Sequence, residues 1–184
     1  MAEPITDKKT FDQVITLLKK YNNNDAYADA FKLGCILGLR ASDLLTLKYS
    51  DIYNDAVKII EQKTKKVNQI DLSDKAKLII KRRKTKYPNT TYLFETNSRR
   101  SKGRPLSLRI FNQRLQEVAQ VLGLEGKLSS HTMRKTLGYQ VYKQTNDLGL
   151  VCSMLNHASI KDTLKYIGIT KEAQTKARNN LLFV

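Results

Sequence analysis

Apolar positions along the chain fall first into a helical rhythm. Phe11, Val14, Ile15 and Leu18 recur at three- and four-residue intervals, so "TFDQVITLLKKY" predicts an amphipathic helix. "NNND" interrupts it, and Asn24 or Asp25 offers a cap for the next helix, "AYADAFKLGCILG", which Gly38 is suited to end. Ser42 is placed to cap a short third helix, "DLLTLKY". The rhythm then changes. β-Branched runs at 57–60 and 67–72 flank a polar, lysine-rich stretch, which predicts a hairpin with Lys63, Lys65 and Lys66 near its turn. Ser73 caps a further helix that Pro88 stops, and "TTYLFE" offers one more short strand. Beyond a basic loop at 96–107, Ser107 opens a helix with Phe111, Leu115, Val118 and Leu122 on its inner face. Ser130 caps the helix that holds "HTMRKTLGYQ", and three short helices follow, at about 147–156, 160–167 and 171–182. These elements predict one α+β domain, mostly α-helical, with a small antiparallel sheet packed on a helical core.

Charge changes the picture. The 184 residues contain 33 Lys and Arg against 17 Asp and Glu, a formal net charge of +16. So large a surplus on one domain points to a polyanion, with nucleic acid ahead of an acidic membrane surface. No apolar run reaches the roughly 20 residues needed to span a bilayer, and the basic residues are spread along the whole chain. Cys35 and Cys152 sit among apolar neighbours. Two Cys and two His at these spacings cannot build a disulfide scaffold or a four-ligand zinc site, and a reduced, cytoplasmic protein is expected.

Three short segments carry candidate chemistry. In "SSHTMRKT", His131 and Arg134 project from one face at the start of a helix, where free N–H groups and the helix dipole favour a phosphate. Taken alone, such a pair is far more often a piece of surface helix. In "GLRASDLL", Arg40 follows a glycine-ended helix, and Asp43, three residues on, could hold its guanidinium plane for a bidentate grip on phosphate. A helix-cap charge is the plainer alternative. In "LNHASIKDTLKYIGI", Tyr166 stands nine residues after His157. A half-buried helix aromatic would account for that tyrosine equally simply.

Taken in order, Arg40, Lys63, His131, Arg134, His157 and Tyr166 resemble the signature of the tyrosine recombinase (phage integrase) family over nearly the whole chain. "LGLRASDLL" is similar to the family's first arginine segment, with Asp43 where glutamate is usual. "QKTKKVNQIDL" aligns the hairpin lysine on Lys63, with Lys65 and Lys66 as alternatives in the same turn. "HTMR" matches the His-x-x-Arg box. "LNH" matches "LGH", with Asn156 replacing a usual glycine, and "LKYIGI" supplies the tyrosine.

The resemblance implies a site-specific recombinase acting on double-stranded DNA without metal, cofactor or ATP. Tyr166 would attack a phosphodiester, leaving a 3′-phosphotyrosine and releasing a 5′-hydroxyl. A phenol with a pKa near 10 needs a proton acceptor, a role the resemblance gives to His131. Arg40 and Arg134 would neutralise the pentavalent transition state, His157 would donate a hydrogen bond to it, and Lys63 would protonate the departing oxygen. Lys65, Lys66, Arg99, Arg100, Lys102 and Arg104 are the expected DNA contacts. The resemblance further implies assembly with other protomers on DNA, as a tetrameric synapse formed from a chain that is monomeric in solution. Residues 1–184 would be the catalytic domain, without the N-terminal DNA-clasping domain of most members, and a fragment is the expected explanation. Type IB topoisomerases, and a non-catalytic basic DNA-binding regulator on the same fold, are the rival readings.

Overall fold

The structure, a computed structural model, describes residues 2–21, 25–96, 103–157, 159–164, 166, 167, 175 and 178–180. Helix α1 (Lys8–Leu18) begins at Asp7, whose carboxylate accepts the Thr10 N–H at 2.8 Å. Helix α2 (Ala26–Leu37) begins at Asp25, but that residue has φ 54° and makes no side-chain cap; its carboxylate meets Lys86 instead, at 3.3 Å. Gly38 ends α2 in the left-handed conformation, φ 63°, which a glycine adopts without steric cost. Helix α3 (Ala41–Leu45) starts one residue before Ser42, and Arg40 occupies the cap position.

A 3₁₀ turn, Tyr49–Asp51, leads into a three-stranded antiparallel sheet in the order β1-β2-β3. Strand β1 (Ile52–Tyr53) was not anticipated, because two residues are too few to show a period of 2. Strands β2 (Ala56–Ile60) and β3 (Val67–Asp71) are the expected hairpin, in the register Ile60↔Val67 and Val57↔Ile70. Helix α4 (Asp74–Lys86) is capped by Ser73, whose hydroxyl accepts from the Ala76 N–H at 3.4 Å. "TTYLFE" forms only isolated bridges, Lys48↔Tyr92 and Glu95↔Pro105, rather than a strand. Helix α5 (Leu108–Leu122) follows, then α6 (Ser130–Thr145), α7 (Leu148–Met154) and α8 (Ile160–Leu164). The cap of α6 is Ser129, one residue earlier than expected. Most of the predicted 171–182 helix lies outside the described residues.

The main core gathers the apolar faces of α1, α2 and α5 with Leu44, Leu45, Leu93, Phe94 and Met133. Helix α6 crosses α2 so closely that a Cβ on Gly34 would sit 2.3 Å from the Met133 sulfur. A second, smaller cluster of Val151, Leu155 and Ile167 packs against Leu137 and Tyr166. This second cluster docks α7 and α8 on α6 and so sets the depth at which Tyr166 sits. No helix among the described residues is long and apolar enough to cross a membrane.

Candidate functional site

Arg40, Lys63, His131, Arg134, His157 and Tyr166 line one cleft of about 620 Å³. They come from the α2–α3 junction, the β2–β3 turn, the first turns of α6, the end of α7 and the end of α8.

Arg134 is the deepest of these cations, at 4% exposed. It donates to the carbonyls of Gly38 and of Leu155, the latter at 2.7 Å, at the C-terminal ends of α2 and α7. Those carbonyls have no partner within their helices and carry the negative end of each dipole, so a cation belongs there. Burial pulls the Arg134 guanidinium below its ordinary value against the opposing effect of the Tyr166 phenol; it stays cationic at neutral pH.

His157 Nε2 lies 3.0 Å from Arg134 Nη2, and its Nδ1 lies 3.1 Å from Thr163 Oγ1. A guanidinium only donates, so Nε2 is the acceptor and Nδ1 carries the proton. The Thr163 hydroxyl passes the chain on to the Ser159 carbonyl at 3.4 Å. Burial first, then the adjacent Arg134, pushes the His157 pKa down to about 4. In this state His157 steadies Arg134 and offers no proton from Nε2, unlike the donor anticipated from the sequence. Its ring meets Tyr166 edge-on, with centroids 4.6 Å apart.

Tyr166 is half-buried, and its backbone N–H donates to the Thr163 carbonyl at 2.8 Å. Arg134 lies 5.8 Å and Lys135 5.9 Å from the ring centroid. His131 is exposed at the mouth of the cleft. Its neighbours strip it of some water, and with Arg134, Lys135 and Lys63 close by its pKa drops below the ordinary histidine value. A neutral imidazole at pH 7 is therefore available to take a proton.

Arg40 does not pair with Asp43. Its extended backbone (φ −61°, ψ 143°) places it outside the helix, so the three-residue spacing does not bring the two side chains together. Asp43 instead accepts from the Gln62 backbone N–H at 2.9 Å, and its second oxygen is buried without a hydrogen bond among the described residues. The partner of Arg40 is Glu61, 2.5 Å away and 1% exposed. Burial raises the Glu61 carboxyl, but hydrogen bonds from Thr64 and Asn156 and the charge of Arg40 outweigh it, and the net shift is downward. Sequence reasoning passed over Glu61 and Thr163. The only hint of Glu61 was one acid beside a run of lysines, and that of Thr163 was its place one helical turn before Tyr166.

Of the expected DNA contacts, Lys65 and Lys66 are exposed on the hairpin turn, and Lys66 lines the cleft. Arg104 is exposed, and its carbonyl accepts from the Thr96 N–H at 3.0 Å. Arg99, Arg100 and Lys102 lie outside the described residues. Among the described residues, no three His, Cys, Asp or Glu side chains are grouped to hold a metal ion.

Known proteins resemble the chain in sequence and in fold. The phage integrase family model matches residues 7–173. A probable integrase/recombinase of Bacillus subtilis (strain 168), YoeC, is 32% identical over 178 residues, covering 96% of this chain and 95% of that protein. Among solved structures, XerH site-specific recombinase bound to palindromic difH substrate superposes with a TM-score of 0.71 at 20% identity, covering 98% of this chain and 54% of that one. A lambda integrase dimer bound to a COC′ core site gives a TM-score of 0.73 at 17% identity, covering 93% and 61%. These two structures share the fold, and the chain spans between half and two thirds of their length.

Proposed function

The chain belongs to the phage integrase family, and from that premise we propose that it is a site-specific DNA recombinase that cleaves and rejoins strands through a covalent bond to Tyr166. The observation that carries this reading is the convergence of five cationic or imidazole side chains and the Tyr166 phenol on a single cleft.

In the proposed reaction the phenolic oxygen of Tyr166 attacks the phosphorus and His131 takes its proton. The P–O bond to the 5′-oxygen breaks, and Lys63 protonates that oxygen as it leaves. The product is a 3′-phosphotyrosine and a free 5′-hydroxyl. A 5′-hydroxyl from another strand can reverse the attack, so no external energy source enters. Arg40 and Arg134 hold the non-bridging oxygens, and a preorganised donor of this kind is worth about 10²–10³ in rate. His157 fixes the guanidinium of Arg134. It would present Nε2–H to the phosphate only after exchanging its bond to Arg134 for one to substrate. Tyr166 lies in its own chain's cleft, which supports delivery in cis.

Double-stranded DNA and further copies of the chain on it are the proposed partners. The DNA-bound states of XerH and of the lambda integrase dimer, and the net charge of +16, support this. A tetrameric synapse is the expected assembly.

The test uses a pool of nicked duplexes with randomised core sequence, from which the short released fragment bearing the 5′-hydroxyl diffuses away and leaves the enzyme trapped on the 3′-phosphate. The unaltered chain should yield adducts that survive denaturing electrophoresis, and Tyr166→Phe should yield none. Adducts that persist in Tyr166→Phe, or none with the unaltered chain, would contradict the proposal; the latter is the outcome expected of a DNA-binding regulator. Relaxation of a plasmid irrespective of sequence would point to a topoisomerase.

A further inference from the structure

The carboxylate of Glu61 receives four hydrogen bonds, two on each oxygen. Oε2 accepts from Arg40 Nη1 and from Thr64 Oγ1, both at 2.5 Å. Oε1 accepts from Asn68 Nδ2 at 2.9 Å and from Asn156 Nδ2 at 3.0 Å. Its lone-pair sites are thereby filled. The backbone of the same residue closes the hairpin turn, with its N–H donating to the Lys66 carbonyl and its C=O accepting from the Lys65 N–H, each at 2.9 Å. The donors come from three separate segments. One is Arg40 itself, Thr64 follows Lys63, and Asn156 precedes His157.

Resting on the recombinase reading above, we propose that Glu61 is a positioning residue for strand cleavage. Its buried carboxylate holds Arg40, the turn that presents Lys63, and the Asn156–His157 segment in one fixed arrangement around the scissile phosphate. Asn156 supports this role. It has φ 48°, a left-handed conformation that glycine adopts readily and asparagine tolerates. Asparagine adds an amide that glycine lacks, and here that amide is bonded to Glu61. The ion pair also leaves Arg40 partly open to the cleft, its side chain 21% exposed against 1% for Glu61. Glu61 therefore anchors the guanidinium from behind without occupying the face that substrate would meet.

Glu61→Gln keeps the shape but loses the charge, and it turns an N–H₂ toward donors that need an acceptor. On the randomised nicked-duplex pool, this substitution should slow the first-order rate of adduct formation about 10–100-fold, the usual size of a supporting-residue effect. The protein concentration giving half the maximal rate should stay within about twofold. Because part of the Glu61 effect passes through Arg40 and the rest through the Lys63 turn and Asn156, adding Glu61→Gln to Arg40→Ala should cost severalfold less than the same substitution costs in the unaltered chain. A single-variant rate close to that of the unaltered chain overturns the inference. So does an undiminished loss in the Arg40→Ala background, or a loss confined to DNA affinity. If Glu61→Gln does not fold, the same cycle is run with Glu61→Asp, which keeps the charge but is one methylene shorter. Absence of adduct from the unaltered chain overturns the recombinase reading and this role together, whereas adduct with no Glu61 effect overturns this role alone.

Discussion

Asp29 and Glu61 are equally hidden, each 1% exposed, and each meets a guanidinium. Around Asp29 the arrangement is sealed. Arg83 approaches at 3.1 Å, donates its Nε–H to the Leu93 carbonyl at 2.7 Å, and lies within 5.3 Å of the Tyr87 and Phe94 ring centroids. Arg83 is 3% exposed, and Arg82 completes the cluster from the solvent side. Around Glu61 the arrangement stops short of closure. Arg40 gives one nitrogen to the carboxylate and keeps a face toward a cleft shared with Lys63 and two histidines. The same pair of groups thus does two jobs. A guanidinium enclosed by carboxylate, carbonyl and aromatic rings holds helices together, while one anchored on a single side remains available to an anion.

The largest effects should separate the two clusters by activity. Arg40→Ala and Arg134→Ala should each lower the adduct-forming rate by about 10²–10³-fold at saturating DNA. Arg83→Ala should leave the rate per folded molecule within about twofold. Comparable losses from all three would erase the distinction.

Stability should rank Arg83 and Arg40 the other way. Arg83→Ala takes the buried guanidinium from Asp29 and from the Leu93 carbonyl, leaves the half-exposed Arg82 beside that carboxylate, and should cost up to about 3 kcal/mol in urea unfolding. Arg40→Ala should cost less, because Thr64, Asn68 and Asn156 still bond Glu61. An equal cost for both would mean that the Glu61 cluster is also chiefly structural.

Acid should act on the cleft through His157. Its pKa falls from an ordinary 6.5 to about 4 in the folded protein, so the unfolded chain takes up the proton first. This contribution is absent above about pH 6.5. It destabilises the fold progressively as pH falls toward 4, and levels off once the folded form is protonated too. Urea midpoints measured across that range should fall more steeply for the unaltered chain than for His157→Asn. Parallel curves would show that His157 is not held neutral by its surroundings.

The smallest effect concerns the surface. Arg104→Ala should reduce the slope of log affinity against log salt by about 1, the signature of one lost phosphate contact. The same substitution at the enclosed Arg83 should leave that slope unchanged. An identical slope for Arg104→Ala would remove that residue from the DNA contacts.

The sequence made most of the cleft legible because its residues lie at element ends that local chemistry marks. Gly38 announces the end of α2 just before Arg40. The change from helical to alternating period locates the turn with Lys63, and the "HTMR" and "LNH" segments stand at helix boundaries. What stayed hidden depends on long-range approach. Glu61 reads as a solvated charge beside lysines, since nothing local says that Asn156, 95 residues later, will reach it. Arg83 sits in "KRRKTK", which reads as a basic solvated face until α4 packs against α2 and Asp29 draws it inward. The expected Arg40–Asp43 pair failed for a local reason, since helical spacing rules do not extend to a cap residue with extended backbone.

In the proposed reaction the phenol of Tyr166, and no other nucleophile, becomes bonded to DNA in this cleft. Trapped adducts from the nicked duplexes can be digested with trypsin and nuclease and the nucleotide-bearing peptide located by mass spectrometry. A single modified residue is expected, Tyr166, joined to a 3′-phosphate. Attachment at another of the nine tyrosines, or at a serine, would contradict it.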